Sequence, residues 1–402
     1  MDSMETERKY GQSFGDDLYC LREQFAALSE CLVEAGLLKQ EHIAAKIHRR
    51  RFASVVAEYP MWFEGDHDLI LSASHNLTGI AQFLGPRALQ VLGACSRGIA
   101  DAASSSHSLV KDRWSGHIYL FGGSADGRAN LDTMERFLPE SGAWETLPNM
   151  LQKRQGIAFG VTSGKLFICG GRTDDAVASR TVECFHTEGS TWESMPPMCH
   201  ARQGAVAGVL DGKLYVCGGS DGSGVFLSSV ERYAPGSFSW EELQPMSGPR
   251  VLPASGVLKN KLHICGGSDG SDVVTSAERF NPYSERWEKL PPMREHRYAA
   301  GAAVWRNTLY VCGGRCTTMQ VLSTVECFDV DIFTWTSLRS MNIARRGHGV
   351  AIAAGGLYVF GGFSGSHTLN SIERFDLKTG KWVTLKPMSN RRWAGAAAHI
   401  LY

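Results

Sequence analysis

One unit of 47–48 residues is written six times along this 402-residue chain. A glycine doublet falls at Gly122-Gly123, Gly170-Gly171, Gly218-Gly219, Gly266-Gly267, Gly313-Gly314 and Gly361-Gly362, and a tryptophan keeps step at Trp144, Trp192, Trp240, Trp287, Trp335 and Trp382. Self-similarity at a fixed period of this length means a stacked or radial array of one supersecondary unit.

Within the unit four short segments read as strands. A small-residue run such as Gly156-Ile157-Ala158-Phe159-Gly160-Val161 comes first, and a turn such as Asp211-Gly212 joins it to a β-rich run such as Lys165-Leu166-Phe167-Ile168-Cys169. After the doublet comes a third strand with a shared text: TVECF at 181–185, SVERY at 229–233, SAERF at 276–280, TVECF at 324–328 and SIERF at 371–375. The tryptophan opens a fourth strand that ends in Pro-Met text such as Met195-Pro196-Pro197-Met198. Four antiparallel strands repeated radially make a β-propeller. Small residues suit the crowded axis, the doublet permits torsions or close approach that a β-carbon forbids, and the tryptophan supplies an apolar wedge between sheets.

With the double glycine, the V-E-x-[YF] strand and the spaced tryptophan, these units resemble kelch repeats over about residues 107–402. The expected fold is an all-β, six-bladed kelch β-propeller with a small all-α N-terminal region. After the sixth tryptophan, Arg392-Trp393-Ala394-Gly395-Ala396-Ala397-Ala398-His399-Ile400-Leu401 is a complete first strand with no blade to follow, whereas Ser106–Arg113 lacks the small-residue pattern. A C-terminal strand at 391–401 is therefore expected to close the first blade, within a propeller domain at 106–402.

With 41 basic and 41 acidic side chains the chain has zero net charge, which removes a bulk electrostatic reason to bind nucleic acid or membrane. No stretch approaches the ~20 apolar residues of a transmembrane helix, and the polar first residues are unlike a secretory signal. Cys169, Cys217, Cys265 and Cys312 precede glycine doublets at one equivalent position and read as small buried hydrophobes, not a disulfide framework. Cysteine usage points to the cytoplasm or nucleus. Cys312 and Cys316 read as isolated thiols, and no metal or cofactor is expected.

Ten residues beyond each tryptophan stand Arg154, Arg202, Arg250, Arg297, Arg345 and Arg392. Equivalent positions in a radial repeat lie on one circle, so these cations are expected to rim the central channel, where guanidinium forks suit carboxylates or phosphates. The competing reading is internal: Glu135, Glu183, Glu231, Glu278, Glu326 and Glu373 recur in step and could pair with them. The hydroxyls two residues before those glutamates, Thr133, Thr181, Ser229, Ser276, Thr324 and Ser371, fit either a pocket or local backbone bonding. The residue after each doublet varies: Ser124, Arg172, Ser220, Ser268, Arg315 and Phe363. Resemblance to the kelch domains of ubiquitin-ligase adaptors implies that these sets surround a peptide pocket. Arg172 and Arg315 would then add charge, and Phe363, Tyr298 and Trp393 apolar contact. The ligand expected there is a protein or peptide bearing Asp, Glu or phosphate.

Before the propeller, residues 1–16 read as disordered and 17–63 as helical, with Leu18, Leu21, Phe25, Leu28 and Leu32 forming one apolar stripe. After a break at Ala35-Gly36 a second helix is expected from about Glu41 to Tyr59, with His48-Arg49-Arg50-Arg51 on its solvated face. Residues 64–105 contain Phe83-Leu84-Gly85-Pro86-Arg87, then Leu89, Leu92 and Cys95-Ser96-Arg97. Residues 68–101 resemble the second part of an F-box, without its usual Leu-Pro entry and with Gly98 at a bulky position. That resemblance implies docking on a Skp-type adaptor through Phe83, Leu84, Pro86, Leu89 and Leu92; a plain helical cap is the alternative.

These features point to a non-catalytic interaction protein, most concretely a substrate receptor of a Skp–cullin–F-box ubiquitin ligase. A kelch scaffold or cytoskeletal or signalling adaptor is the second reading. A propeller enzyme is the third, opposed by the lack of an H-E-x-x-H, a C-x-x-C or a Tyr/Tyr/His copper set.

Overall fold

The structure, a computed structural model, describes residues 116–127, 129–162, 164–234 and 238–400. The expectations for residues 1–105, including the helical stripe and Phe83, Leu84, Pro86, Leu89 and Leu92, lie outside the described residues. The 24 strands, numbered in chain order, form six separate four-stranded antiparallel sheets, so the described chain is an all-β six-bladed propeller. Blades 2 to 6 run consecutively through residues 158–195, 206–243, 254–290, 301–338 and 349–385.

Blade 1 is assembled from both ends of the propeller. β1 (His117–Phe121), β2 (Met134–Leu138) and β3 (Ala143–Leu147) are contiguous, and β24 (Ala396–Ile400) supplies the inner strand. β24 pairs antiparallel with β1 from His117↔Ile400 to Phe121↔Ala396. Its alanines are buried, which lets this strand sit at the crowded axis.

Blade 2 shows how sequence becomes layer. Along β5 (Lys165–Cys169) every residue after the lysine is buried, because this second strand is covered on both faces by neighbouring blades. β7 (Thr191–Met195) lies at the outer edge and is mostly exposed. Its Trp192 pairs across the strand with Phe185 of β6 (Val182–His186), ring centroids 4.9 Å apart. The indole N–H donates to the Pro148 carbonyl of the preceding blade at 2.9 Å. One side chain therefore packs its own blade and ties it to the one before.

The core lies between blades. Tyr119 and Phe121 of blade 1 share a cluster with Leu166, Ile168 and Phe185 of blade 2, and each such side chain contributes about 1.5–3 kcal/mol on burial. The glycine doublet makes this approach possible. Gly170 and Gly171 have φ of 61° and 97°, and a β-carbon on Gly170 would lie 2.4 Å from the Arg202 carbonyl. Since strands alternate in direction, the linkers between blades and the turns between second and third strands open on one face, called here the linker face.

Deleting residues 391–402 removes the inner strand of blade 1. We expect loss of the cooperative thermal transition, read by circular dichroism; an unchanged melting temperature would show that β24 is dispensable.

Candidate functional site

The six repeated arginines face inward, not towards the channel. Arg154, Arg202, Arg250, Arg297, Arg345 and Arg392 are all buried, none more than 4% exposed. Each sits in the linker entering its blade and reaches the third strand of that blade. In blade 6, Arg345 Nη1 donates to the carbonyls of Gly361 (2.7 Å) and Ser371 (3.2 Å), and Nη2 to the Ser371 hydroxyl (3.2 Å) and Glu373 Oε1 (2.7 Å). The same clip joins Arg202 to Glu231 (2.7 Å), Arg250 to Glu278 (3.0 Å), Arg297 to Glu326 (2.8 Å) and Arg392 to Glu135 (3.4 Å), and also Arg154 to Glu183. Blade 2 varies it, with Gln152 accepting from Arg154 Nη2 and from the Thr181 hydroxyl, both at 3.0 Å.

Burial pushes the guanidinium of Arg154 down and the carboxyl of Glu183 up, and their mutual attraction opposes both shifts. The carboxylates also accept linker N–H groups, Glu183 from Leu151 at 2.9 Å and Glu373 from Ile343 at 3.1 Å. The expected rim of six arginines is thereby corrected. Their Nη groups are engaged on blade carbonyls, side-chain oxygens and glutamates, and burial keeps an incoming ligand from reaching them. The recurring hydroxyls belong to the same clips.

What surrounds the channel mouth is a second register. The residues two places after each arginine, Gly156, Gly204, Leu252, Ala299, Gly347 and Ala394, all adopt left-handed backbone torsions, with φ from 49° to 65°. Each N–H donates to the carbonyl of its neighbour, from Gly204 to Gly156 (2.8 Å) round to Gly156 to Ala394 (2.9 Å), closing a hydrogen-bonded ring around the axis. Behind it, the small residues of the inner strands line a channel of about 450 Å³.

Around the ring, the residue after each clip arginine pairs in a single bridge with the residue after the doublet. These pairs are Gln155 with Arg172, Gln203 with Ser220, Val251 with Ser268, Tyr298 with Arg315, Arg346 with Phe363, and Trp393 with Ser124. Blades 5, 6 and 1 therefore bring Tyr298, Arg315, Arg346, Phe363 and Trp393 onto one arc of the linker face. Arg346 lies 5.1 Å from the ring centres of both Phe363 and Trp393, whose own centroids are 6.2 Å apart. Arg315 Nη1 donates to the Tyr298 hydroxyl at 3.0 Å and its Nε to the Met319 carbonyl at 2.9 Å. Burial and the neighbouring Arg315 charge push the Arg346 guanidinium down. Among the described residues no carboxylate pairs with Arg315 or Arg346. Arg172 is exposed on blade 2, apart from this arc.

Sequence reasoning missed Arg346. It occupies the register of Tyr298 and Trp393, one place after a clip arginine, and aligning all six units at that position would have exposed it. Mouth carboxylates on blades 3 and 4 serve their own loops. Asp221 accepts from the N–H groups of Ser223 (2.8 Å) and Val225 (3.2 Å), and Asp269 from those of Ser271 and Asp272 (both 2.8 Å).

His348 lines the channel where the other units carry Ile157, Ala205, Pro253, Ala300 and Gly395. It is buried beside Arg345, Arg297 and Cys312, and burial followed by the Arg345 charge pushes its imidazole down to about 3. His263, buried in blade 4, is pushed down to about 4, again chiefly by burial.

A family profile described as the KLHDC2/KLHL20/DRC7 Kelch-repeats domain matches residues 94–267 and 253–401. Kelch-like protein 7 of Rattus norvegicus is 34% identical over 76 residues, which is 19% of this chain and 12% of that protein. Kelch-like protein 28 of Homo sapiens is 47% identical over 47 residues, 12% of this chain and 8% of that protein. The chain thus matches only a small fraction of either relative's length. Among solved structures, the chain of "Structure of YjhT" has a TM-score of 0.56 at 17% identity, covering 62% of this chain and 88% of that one, a likeness of fold alone.

Two adjacent arginines contrast a buried ion pair with a half-buried ring contact. Arg345→Ala strands the buried Glu373 and should lower stability by about 3–5 kcal/mol, whereas Arg346→Ala loses ring stacking and should lower it by only about 1 kcal/mol; urea unfolding of both variants checks the contrast. Acid should also destabilise the propeller. The unfolded chain protonates His348 and His263 near pH 6.5, while the folded chain holds both neutral down to about 3 and 4, so stability is full above pH 6.5 and falls below it. At pH 5 each histidine should account for about 2 kcal/mol, and His348→Asn should flatten the pH dependence of the urea midpoint.

Proposed function

The chain belongs to the KLHDC2/KLHL20/DRC7 Kelch-repeats domain family, and from that premise we propose that its propeller is a non-catalytic receptor for an acidic or phosphorylated peptide segment of a partner protein. One observation carries the reading. Every repeated arginine is matched by a glutamate, buried in five blades and half-buried at Glu135, whereas Arg315 and Arg346, where the repeat is broken, have no carboxylate partner among the described residues and stand among Tyr298, Phe363 and Trp393. Phe363 and Trp393 lie against the Arg346 guanidinium, whose N–H groups suit the paired hydrogen bonds that a carboxylate or phosphate accepts. The rings would take an apolar or aromatic side chain next to the acidic one.

The mouth is electrically polarised. Arg315 and Arg346 lie on blades 5 and 6, while the matching loops of blades 2, 3 and 4 carry Asp174 and Asp175 beside Arg172, then Asp221, lowered by the Ser223 hydroxyl and loop N–H groups, and Asp269, lowered by loop N–H groups. A bound peptide would lay its acidic part over blades 5 and 6.

We further propose the role of substrate receptor in a Skp–cullin–F-box ligase, supported by the F-box-like text around Phe83, Leu84, Pro86, Leu89 and Leu92. Without an adaptor contact, the same mouth would serve a scaffold, in the cytoplasm or nucleus.

Affinity purification of partners with the full chain tests the first step. Arg315→Ala combined with Arg346→Ala should reduce binding of the main partner at least ~10-fold and weaken its salt dependence. An unchanged partner set would remove the mouth as the binding site. For the second step, the full chain should co-purify with a Skp-type adaptor and Leu89→Asp should abolish that; an adaptor-free preparation would end the ligase reading.

A further inference from the structure

The fourth strand of each blade ends its sheet, so alternate N–H and C=O groups along it face outward. Such an edge is a template for an added strand unless charge obstructs it. Four blades carry a glutamate there, directly after the tryptophan: Glu145 in β3, Glu193 in β7, Glu241 in β11 (Ser239–Leu243) and Glu288 in β15 (Arg286–Leu290). In blades 1, 3 and 4 an arginine across the strand pair holds it, Arg136 to Glu145, Arg232 to Glu241 at 2.6 Å and Arg279 to Glu288 at 2.7 Å.

The last two blades break this register. In blade 5, Thr336 takes the position in β19 (Thr334–Leu338), but the Trp335 carbonyl of that edge accepts from Arg294 Nε at 3.1 Å. In blade 6, Val383 takes it in β23 (Lys381–Leu385) and is 50% exposed. The shorter Asn342 holds the register of Arg294, each giving its backbone N–H to the clip glutamate of its blade. Arg374 of β22 (Ile372–Asp376), across from Val383, finds no glutamate and turns to Asp376 at 3.2 Å. Among the described residues β23 pairs with β22 alone, and no side chain bonds to its backbone. This open edge borders the seam between the last blade and the first, where Leu385 packs in one cluster with Phe137 and Trp144.

Cations flank the same strand. Lys378, Lys381 and Lys386 are exposed and have no carboxylate partner among the described residues. Asp376 stands across from Lys381, but it is taken up by Arg374 and by the N–H and hydroxyl of Thr379, at 2.8 and 3.0 Å. A second copy of this chain is a poor occupant, because antiparallel pairing of β23 with itself about Val383 would bring the lysines of both copies together. A strand with carboxylates at its two ends and an apolar residue between them complements the edge in charge and in shape.

We propose that β23 is a docking edge for an extended segment of a partner protein, which adds antiparallel to blade 6 as a fifth strand. The segment places an apolar residue opposite Val383 and acidic residues opposite Lys381 and Lys386. Main-chain hydrogen bonds supply the affinity, and the flanking charges select the partner. The proposal does not rest on peptide binding at the mouth.

The probe is the fluorophore-labelled peptide acetyl-Glu-Val-Thr-Val-Thr-Glu-amide, titrated into the full-length protein and followed by fluorescence anisotropy. Saturable binding at one equivalent is expected. It should be about tenfold weaker or more for the peptide with lysines in place of the glutamates, and lost when the peptide amides are N-methylated. Val383→Glu gives β23 the residue that blades 1 to 4 carry, so it should fold normally and weaken binding about tenfold or more. Thr336→Glu on blade 5 should leave binding unchanged, as should Arg315→Ala combined with Arg346→Ala at the mouth. Lys381→Ala repeats the measurement if Val383→Glu disturbs folding. Absence of saturable binding, equal affinity for the lysine or N-methylated peptide, full affinity in the β23 variants, or an equal loss in the blade 5 or mouth variants would each overturn the proposal.

Discussion

The buried arginine–glutamate clip is the interaction on which the propeller depends. The doublet takes left-handed torsions, so the carbonyl of its first glycine turns out of the strand ladder and needs a donor. The arginine entering the blade supplies one, as Arg202 Nη1 does to the Gly218 carbonyl at 2.8 Å. A guanidinium so deeply buried needs a counter-charge, which Glu231 provides. Glycine doublet, hydroxyl, glutamate and arginine are thus one physical unit. Their repetition in step is required, because removing any member leaves another buried and unsatisfied. The clip of Arg392 on Gly122 and Thr133 joins residues 270 and 259 positions apart in the chain and anchors the closing strand.

Period and strand text made most of the fold legible. Blade number, strand order within a blade and the tryptophan positions follow from a repeat that cannot bury its faces alone. Side-chain direction was not legible in the same way. The ten-residue spacing from tryptophan to arginine fixes a register, and a register is compatible with a guanidinium turned to the channel or into the blade. The in-step glutamates were the visible sign of the inward solution. Arg346 escaped notice because the other residues in that register, Gln155, Gln203, Val251, Tyr298 and Trp393, share no single chemistry and none is charged. The ring residues escaped too, since Leu252, Ala299 and Ala394 carry no local preference for the torsions they adopt.

Individuality lies where the repeat is broken, and the breaks fall in two places. The arc on blades 5, 6 and 1 gathers substitutions in loop registers that no clip uses, so charge and rings vary there without unsettling a blade. The seam is a break of a different kind. Trp144 keeps its residue type, but its indole N–H is buried without a partner at the junction where the two ends of the propeller meet.

The hydrogen-bonded ring at the mouth bears on what a ligand can find there. All six of its N–H groups point around the circle into neighbouring carbonyls, and the adjoining bridge residues pair in the same way, as Arg346 does with Phe363. Among the described residues the ring thus offers no oxyanion-hole-like backbone cradle such as a helix N-terminus provides. On the proposed reading, an incoming carboxylate would be met by side chains, since the main chain of the ring is silent at the axis.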